Sequence, residues 1–134
     1  MQNRYKIYPN IHFGVSKLTP GKKTIEELLD LAEQFRQEKD FPEVHYQLTD
    51  LRGCLFDFKT NKIKEMTSLM DKYKNIDNQK LGVYLVDQPT ETAYILLFFR
   101  SMTYKREFCS TVEKAYQLLS LPISLKSFVR LISI

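Results

Sequence analysis

Hydrophobic and polar positions alternate along the chain with two periods, and each period predicts a kind of element. Near the start, RYKIYPN and IHFGVSKL follow the two-residue period of strands and meet at the Pro9–Asn10 turn. After the loop TPGKKT, Thr24 and Glu27 form a T-x-x-E capping box, which opens a helix. The apolar stripe of that helix consists of Ile25, Leu28, Leu29, Ala32 and Phe35. The first part of the chain is therefore predicted to be a β-hairpin followed by a helix.

The middle of the chain repeats a strand followed by a helix. VHYQLTDL has Val44, Tyr46 and Leu48 on one face, and the loop GCLFDF separates it from a helical stripe between residues 63 and 73. KLGVYLV is apolar on both faces, as expected of a central strand that helices cover on both sides. These segments predict a second and a third strand–helix unit.

The last segments complete the predicted fold. Pro89 opens a third helix, TETAYILLFFRSM, and the short strand KREFC leads to a fourth helix with Ser110 and Glu113 as its capping box. The order β-β-α-β-α-β-α-β-α predicts an α/β fold, with a mixed sheet formed by an N-terminal β-hairpin followed by βα units. The helices are predicted to pack against this sheet, and the order of the strands within it does not follow from the pattern.

No repeat, low-complexity tract or linker divides the sequence, so residues 1–134 are predicted to form a single domain. Residues 121–134 are predicted to be a C-terminal amphipathic helix extension. Its apolar positions at helical spacing are Leu125, Phe128, Val129 and Ile132. With Lys126 and Arg130 elsewhere on the helix, it could lie on an anionic membrane. We favour the alternative that it folds back and completes the core, because apolar termini in water are usually docked.

Composition and charge narrow the functional classes. Hydrophobic residues make up 43% of the 134 residues and charged residues 27%, which excludes a disordered chain and allows a core without disulfides. The net charge is +4, but 20 cationic residues alternate with 16 acidic ones, so we expect no nucleic-acid partner. The N-terminus has no apolar signal segment, and the longest apolar run, AYILLFF, is too short to cross a bilayer. A cytoplasmic protein is therefore expected.

Few residues point to catalysis. The chain has no G-x-S-x-G, G-x-x-x-x-G-K-[ST], G-x-G-x-x-G or H-E-x-x-H pattern. His12 and His45 lack a Cys or His at ligand spacing, and His12 is predicted to be a solvent-facing strand residue. Cys54 follows a glycine in a loop and could be reactive, whereas Cys109 is predicted to be a small buried hydrophobe. We therefore expect no enzymatic activity and no cofactor.

The best candidate for a binding site consists of Asp50, Arg52 and Asp87. Both aspartates follow predicted parallel strands, at the edge where open α/β sheets bind ligands. If the two strands are neighbours, the three side chains could converge on one crevice, and two carboxylates can hold Mg²⁺. The simpler interpretation is that each aspartate accepts N–H groups of the turn that ends its strand, and that Asp50 pairs with Arg52. We favour the simpler interpretation and predict no metal site.

Four segments carry a family pattern: YKIYPNIHFGVSKLTPGKKTIEELLDLAEQF, LTDLRGC, KLGVYLVDQPTETAYILLFF and REFCSTVEKAYQLL. The positions that fit this pattern are Asp50, Arg52, Asp87, Pro89, Phe108, Ala115, Tyr116 and Leu119. With these residues the chain resembles the small bacterial STAS-like proteins, which share the anti-sigma-factor-antagonist fold and are grouped with the CRAL-TRIO lipid-exchange proteins. The resemblance implies that fold and a binding or regulatory role.

The chain departs from the phosphoregulated members of that family in one turn. Those proteins carry an Asp-Ser-Ser-Gly-like turn with a phosphoacceptor serine, whereas the corresponding stretch DLRGCLFDFKTN contains no serine. Thr60 supplies the only hydroxyl in this stretch. We predict that Thr60 caps the second helix, and it is a weak candidate for phosphorylation.

The helix TETAYILLFFRSM is apolar around most of its circumference, so part of it stays uncovered unless the C-terminal segment packs on it. Tyr94, Leu97 and Phe98, with the rim of Asp50, Arg52 and Asp87, are the predicted binding residues. The favoured function is a non-enzymatic STAS-like regulatory or protein-interaction module, with an unknown protein or a second copy as partner. The alternative is a binding protein for a small lipophilic or anionic ligand. Its pocket would lie beneath the third and fourth helices, and contact with a membrane surface is the less favoured arrangement.

Overall fold

The computed structural model describes residues 2–77, 80–100 and 105–134 of the chain. The strands in these ranges are β1 (Arg4–Tyr8), β2 (Phe13–Lys17), β3 (Gly21–Lys23), β4 (Tyr46–Asp50), β5 (Cys54–Phe56), β6 (Leu81–Leu85) and β7 (Lys105–Cys109). The α-helices are α1 (Ile25–Gln37), α2 (Ile63–Lys72), α3 (Lys74–Asp77), α4 (Pro89–Phe99), α5 (Val112–Leu119) and α6 (Leu125–Ile132). The end of the predicted third helix, beyond residue 100, lies outside the described residues. None of the helices in the described ranges is long and apolar enough to span a membrane.

Five of the strands form one sheet, in the order β1-β2-β4-β6-β7. β1 and β2 are antiparallel, and each of the other neighbouring pairs is parallel. The predicted α/β fold, a mixed sheet in which an N-terminal hairpin precedes βα units, is therefore confirmed. Because the strand order follows the chain, β2, β4 and β6 are all central, and the carboxyl ends of β4 and β6 lie side by side.

The structure confirms the predicted side-chain cap of α1 and corrects the predicted caps of α5 and α2. The hydroxyl of Thr24 accepts a hydrogen bond from the backbone N–H of Glu27 at 3.2 Å, as predicted for α1. For α5 the predicted cap, Ser110, is wrong by one position, because Thr111 is the last extended residue and accepts from Lys114 instead. Thr60 does not cap α2, because the chain enters α2 through a 3-10 turn without a side-chain cap.

Helices α1, α2 and α4 cover one face of the sheet, and α5 and α6 cover the other. The core on the α5–α6 face contains Phe13, Val15, Leu48, Val83, Leu85, Ala115, Leu119, Phe128 and Ile132. The buried Phe128 and Ile132 dock α6 on this core, as expected for the C-terminal extension. The idea that this extension covers α4 is wrong, because the segments that follow β7 pack on the opposite face of the sheet.

The segments TPGKKT and GCLFDF, which were predicted to be loops, contain a small parallel pair of strands. β3 lies beside β5, with Gly21 opposite Cys54. The positive φ of Gly53, 73°, allows the tight turn that joins β4 to β5, and the N–H of Gly21 donates to the carbonyl of Gly53 at 2.9 Å. Strands of three residues are too short to show a period, which explains why the sequence pattern missed them.

Candidate functional site

Asp50 ends β4 and is almost completely buried, with 1% of its surface exposed. The guanidinium of Arg52 donates to both carboxylate oxygens, from Nε to Oδ1 at 3.0 Å and from Nη2 to Oδ2 at 2.8 Å. The backbone N–H of Arg52 donates to Oδ1 at 3.2 Å, and Nζ of Lys17 lies 4.0 Å from Oδ2. The hydrogen bonds to Asp50 raise the pKa of Arg52. Asp50 is therefore held by a bidentate ion pair within its own turn.

Asp87 follows β6 and supports the same turn from the neighbouring strand. Its Oδ1 accepts a hydrogen bond from the backbone N–H of Gly53 at 2.9 Å, and its charge makes a smaller contribution to the raised pKa of Arg52. The structure thus brings Asp50, Arg52 and Asp87 to one edge of the sheet. Both aspartates accept N–H groups of the turn, as in the simpler interpretation. Within the described ranges, no group of three or more His, Cys, Asp or Glu side chains is placed to hold a metal ion.

The two histidines form a stacked pair at the opposite end of the strands. His12 is not a strand residue, because it adopts a left-handed conformation (φ 55°) where its N–H closes the turn onto the carbonyl of Pro9. Its ring stacks on that of His45 with 4.3 Å between the ring centroids. The half-buried His12 therefore packs against a neighbour, where a solvent-facing side chain was predicted.

Cys54 begins β5 and is fully buried, unlike the reactive loop thiol that the sequence suggested. Burial raises the pKa of its thiol from 9.0 to about 11. Thiolate, the reactive form, is therefore scarce at neutral pH. Cys109 is buried as predicted, and burial raises its pKa as well.

The raised pKa of Cys54 predicts a loss of stability at alkaline pH. Its contribution is fully present below pH 9.0, and it is lost as the pH rises toward 11, because the unfolded thiol ionises first. We expect the free energy of unfolding of wild type to fall more over this interval than that of Cys54→Ala, measured by urea denaturation. The comparison isolates Cys54, because the other groups with a raised pKa, namely Cys109, Tyr5 and Tyr8, are present in both proteins. Equal losses in the two proteins would contradict the prediction.

A cavity of about 60 Å³ lies between the sheet and helices α1, α2 and α4. Most of its walls are apolar side chains, among them Leu28, Leu31, Met66, Met70, Ile95 and Phe98. Its volume is several times the roughly 10–15 Å³ that one water molecule needs. The predicted place of the pocket, beneath the third and fourth helices, is wrong. α5, the fourth predicted helix, lies on the other face of the sheet from this cavity.

The sheet supplies a polar floor to this cavity, made by Ser16, Gln47, Thr49 and Tyr84. Ser16 of β2, Thr49 of β4 and Tyr84 of β6 are cross-strand partners and form one row across the sheet. Gln47 precedes Thr49 by two residues and therefore projects from the same face. Polar groups here face the helices, whereas the corresponding positions on the α5–α6 face are apolar.

An aromatic cluster of Phe56, Phe58 and Tyr94 forms one side of the cavity. The rings of Phe56 and Phe58 stack with centroids 5.3 Å apart, and Tyr94 lies edge-on to Phe58 at 5.5 Å. The hydroxyl of Tyr94 donates to the carbonyl of Phe58 at 2.7 Å, and the buried carboxylate of Glu91 accepts from the N–H of Phe56 at 2.8 Å. All three rings are half-buried, so the cluster belongs both to the cavity wall and to the protein surface.

The predicted residues of α4 divide between the cavity and the surface. Tyr94 and Phe98 both line the cavity; Phe98 is buried, whereas Tyr94 is half-buried and also reaches the surface. Leu97 is half-buried and is not part of the cavity wall. The exposed large apolar side chain among the described residues of α4 is Leu96. Fewer residues of α4 are exposed than the sequence suggests, because this helix packs against α2 as well as against strands.

No protein-family model, curated protein or solved structure matches this chain. The resemblance to the STAS-like proteins therefore stays a prediction that rests on the four sequence segments. Sequence reasoning also missed Ser16, Gln47 and Thr49 as site residues. Their signal is visible only once the helices are placed, because polar side chains on strands that helices cover on both faces are unusual and need partners.

Proposed function

We propose that the protein binds a small, mostly apolar molecule in the cavity between the sheet and helices α1, α2 and α4. The observation that carries the proposal is the cavity itself, whose apolar walls and few polar groups have the composition of small-molecule sites. Protein interiors are otherwise close-packed, because an empty space forfeits dispersion contacts. A space of about 60 Å³ is several times that of one water molecule, and because the half-buried rings of Phe56, Phe58 and Tyr94 beside it reach the surface, a small ligand can lie partly in the cavity and partly against these rings.

The proposed role is non-enzymatic and agrees with the binding or regulatory role that the STAS-like resemblance implies. Asp50 and Asp87 are already hydrogen-bonded within the turn that joins β4 to β5, which supports a structural role for both. A cytoplasmic location belongs to the same proposal.

A protein-interaction module is the second candidate, favoured by an exposed apolar surface at the edge of the sheet. Leu96 and Phe108 are both exposed, and the ring of Phe108 lies 6.4 Å from that of Phe99, which is one helical turn from Leu96. Sedimentation analysis of the ligand-free protein would support this candidate if it showed a dimer. A monomer at all concentrations would count against self-association.

Filling the cavity is expected to block ligand binding. Ala32→Leu adds bulk to the cavity wall on α1, whereas the control Ala93→Leu adds the same bulk on the exposed side of α4. With toluene as the probe, we expect Ala32→Leu to weaken binding at least about tenfold, because the added methyl groups occupy the space of the ring. Ala93→Leu is expected to change it less than about twofold. Amide chemical shifts in an NMR titration measure both.

The same titration decides against the proposal in two ways. Wild-type protein that shows no toluene-dependent shifts at residues lining the cavity, such as Leu31 and Ile95, has no binding site there. Equal toluene affinities in Ala32→Leu and Ala93→Leu would place the binding somewhere else.

A further inference from the structure

We propose that the molecule bound in this cavity carries a neutral carboxamide-like group, in which a hydrogen-bond donor lies beside an acceptor, held by Ser16, Gln47 and Thr49. This inference rests on the proposed function and names the chemical class of its ligand. It follows from the polar floor, from the charges around the cavity and from the donors and acceptors that the floor offers.

Gln47 is the central residue of the argument. It is 4% exposed, and its cross-strand partners are Gly14 and Gly82, which have no side chain to hydrogen-bond its amide. Among the described residues, no partner is found for this amide. Among the described residues, only Oε2 of Glu65 is a side-chain polar atom that is both inaccessible to solvent and without a hydrogen-bond partner. The unpartnered amide of Gln47 is not such an atom, so open space must remain beside it. That space is the cavity.

The hydroxyls of Ser16 and Thr49, like the amide of Gln47, lack a hydrogen-bond partner among the described residues. Ser16 is buried and Thr49 half-buried, both line the cavity, and neither side chain has a hydrogen-bond partner within the part of the chain that the structure describes. Buried polar groups in native proteins are almost always hydrogen-bonded to protein, water or a bound molecule. Three adjacent unpartnered groups on one face therefore mark a place that a ligand or ordered water must complete.

The polar floor carries no charged side chain, so it favours a neutral headgroup over an ionic one. Arg36 is the one charged residue among the described lining residues, and its guanidinium is already engaged. Nη1 donates to the carbonyl of Ala32 and Nη2 to Sδ of Met70, both at 3.2 Å, while the group lies over the ring of Phe41 at 5.5 Å. A carboxylate placed on the floor would lose its hydration against neutral groups, because the guanidinium of Arg36 is held by its contacts with α1 and α2, and this loss is costly.

The donors and acceptors of the floor match a carboxamide. The side chain of Gln47 offers an N–H donor and a carbonyl acceptor on one edge, so a second carboxamide or a lactam can form two reciprocal hydrogen bonds with it. The hydroxyls of Ser16 and Thr49 each donate one hydrogen bond and accept others, which satisfies the remaining positions of such a group. The apolar body of the ligand would then lie against the helices.

Three probes with the same ring test the inference, namely toluene, benzamide and benzoate. We expect wild-type protein to bind benzamide at least about tenfold more tightly than benzoate, because the floor offers the anion only neutral groups. Gln47→Met keeps the length of the side chain and removes its amide. This variant is expected to weaken benzamide about tenfold and toluene less than about twofold, by NMR titration. Thermal unfolding should show no loss of stability in Gln47→Met, since the amide has no partner to lose.

Each other outcome overturns a defined part of the reasoning. The carboxamide assignment is wrong if benzoate binds more tightly than benzamide, or if Gln47→Met leaves benzamide binding unchanged. In either case, toluene binding in the cavity would still support the proposed function. Absence of binding by all three probes overturns both, and leaves a cavity that holds only water. If Gln47→Met does not fold, Thr49→Val and Ser16→Ala provide the same comparison, and loss of benzamide affinity with toluene affinity kept is again the expected result.

Discussion

Replacing Phe128 by alanine is expected to lower the free energy of unfolding by about 3–5 kcal/mol, the usual cost of removing a buried aromatic ring. Phe128 is 0% exposed and packs against the rings of Phe13 and Tyr116, with centroids 5.9 Å and 5.6 Å away. With Ile132 it is one of the two buried side chains through which α6 covers the sheet, so its removal leaves a cavity in the α5–α6 core. Urea denaturation followed by circular dichroism measures the change.

Val129 provides the matched control for this prediction. It is the next residue of the same helix but is 44% exposed, so Val129→Ala should change the free energy of unfolding by less than about 0.5 kcal/mol. Similar losses for Phe128→Ala and Val129→Ala would mean that α6 is not docked through the face described above. A small loss for Phe128→Ala alone would mean that residues 121–134 contribute little to the core.

Arg52→Ala is expected to destabilise the protein by about 2–3 kcal/mol, because it leaves the buried carboxylate of Asp50 without its bidentate partner. The remaining groups are the backbone N–H of residue 52, at 3.2 Å, and Nζ of Lys17, at 4.0 Å. The effect is smaller than for a fully buried ion pair, since the side chain of Arg52 is 38% exposed and part of its interaction is screened by water. Urea denaturation near neutral pH measures it.

The double variant Asp50→Asn/Arg52→Ala separates the buried charge from the loss of packing. Asparagine keeps an acceptor for the N–H of the turn but carries no charge, so we expect the double variant to be more stable than Arg52→Ala alone. If its free energy of unfolding equals that of Arg52→Ala or lies below it, the uncompensated charge is not the cause. Asp50→Asn also tests the non-enzymatic role, because a loss of binding or activity beyond the change in stability would assign Asp50 to a site.

The elements of this fold follow from local patterns, but the side of the sheet on which each helix packs does not. The apolar stripe of α1 and the capping box at Thr24 identify that helix from sequence alone, and KLGVYLV identifies β6 as central. The apolar stripes of α1 and α5 have the same period, yet the two helices lie on opposite faces. Their placement depends on the path that the chain takes between neighbouring strands, which no local period encodes.

Only part of the candidate site could be predicted from the sequence, because burial by the helices is not encoded in the local pattern either. Asp50, Arg52 and Asp87 stand out because ionisable residues at strand ends are rare enough to notice, and the structure does bring them together. Gln47 and Thr49 look like the solvent side of an alternating strand. They become candidates only when helices are known to cover that side, since burial then turns ordinary polar side chains into groups that need partners.

The separation of the two cores has a consequence for synthesis of the chain. All strands of the five-stranded sheet precede α5 and α6, so the sheet leaves the ribosome before the helices that cover its second face. Until then Phe13, Val15, Leu48, Val83 and Leu85 form an apolar surface without its cover. Nascent chains that have emerged as far as β7 therefore expose apolar surface of the kind that promotes aggregation, until Phe128 and Ile132 emerge and cover it.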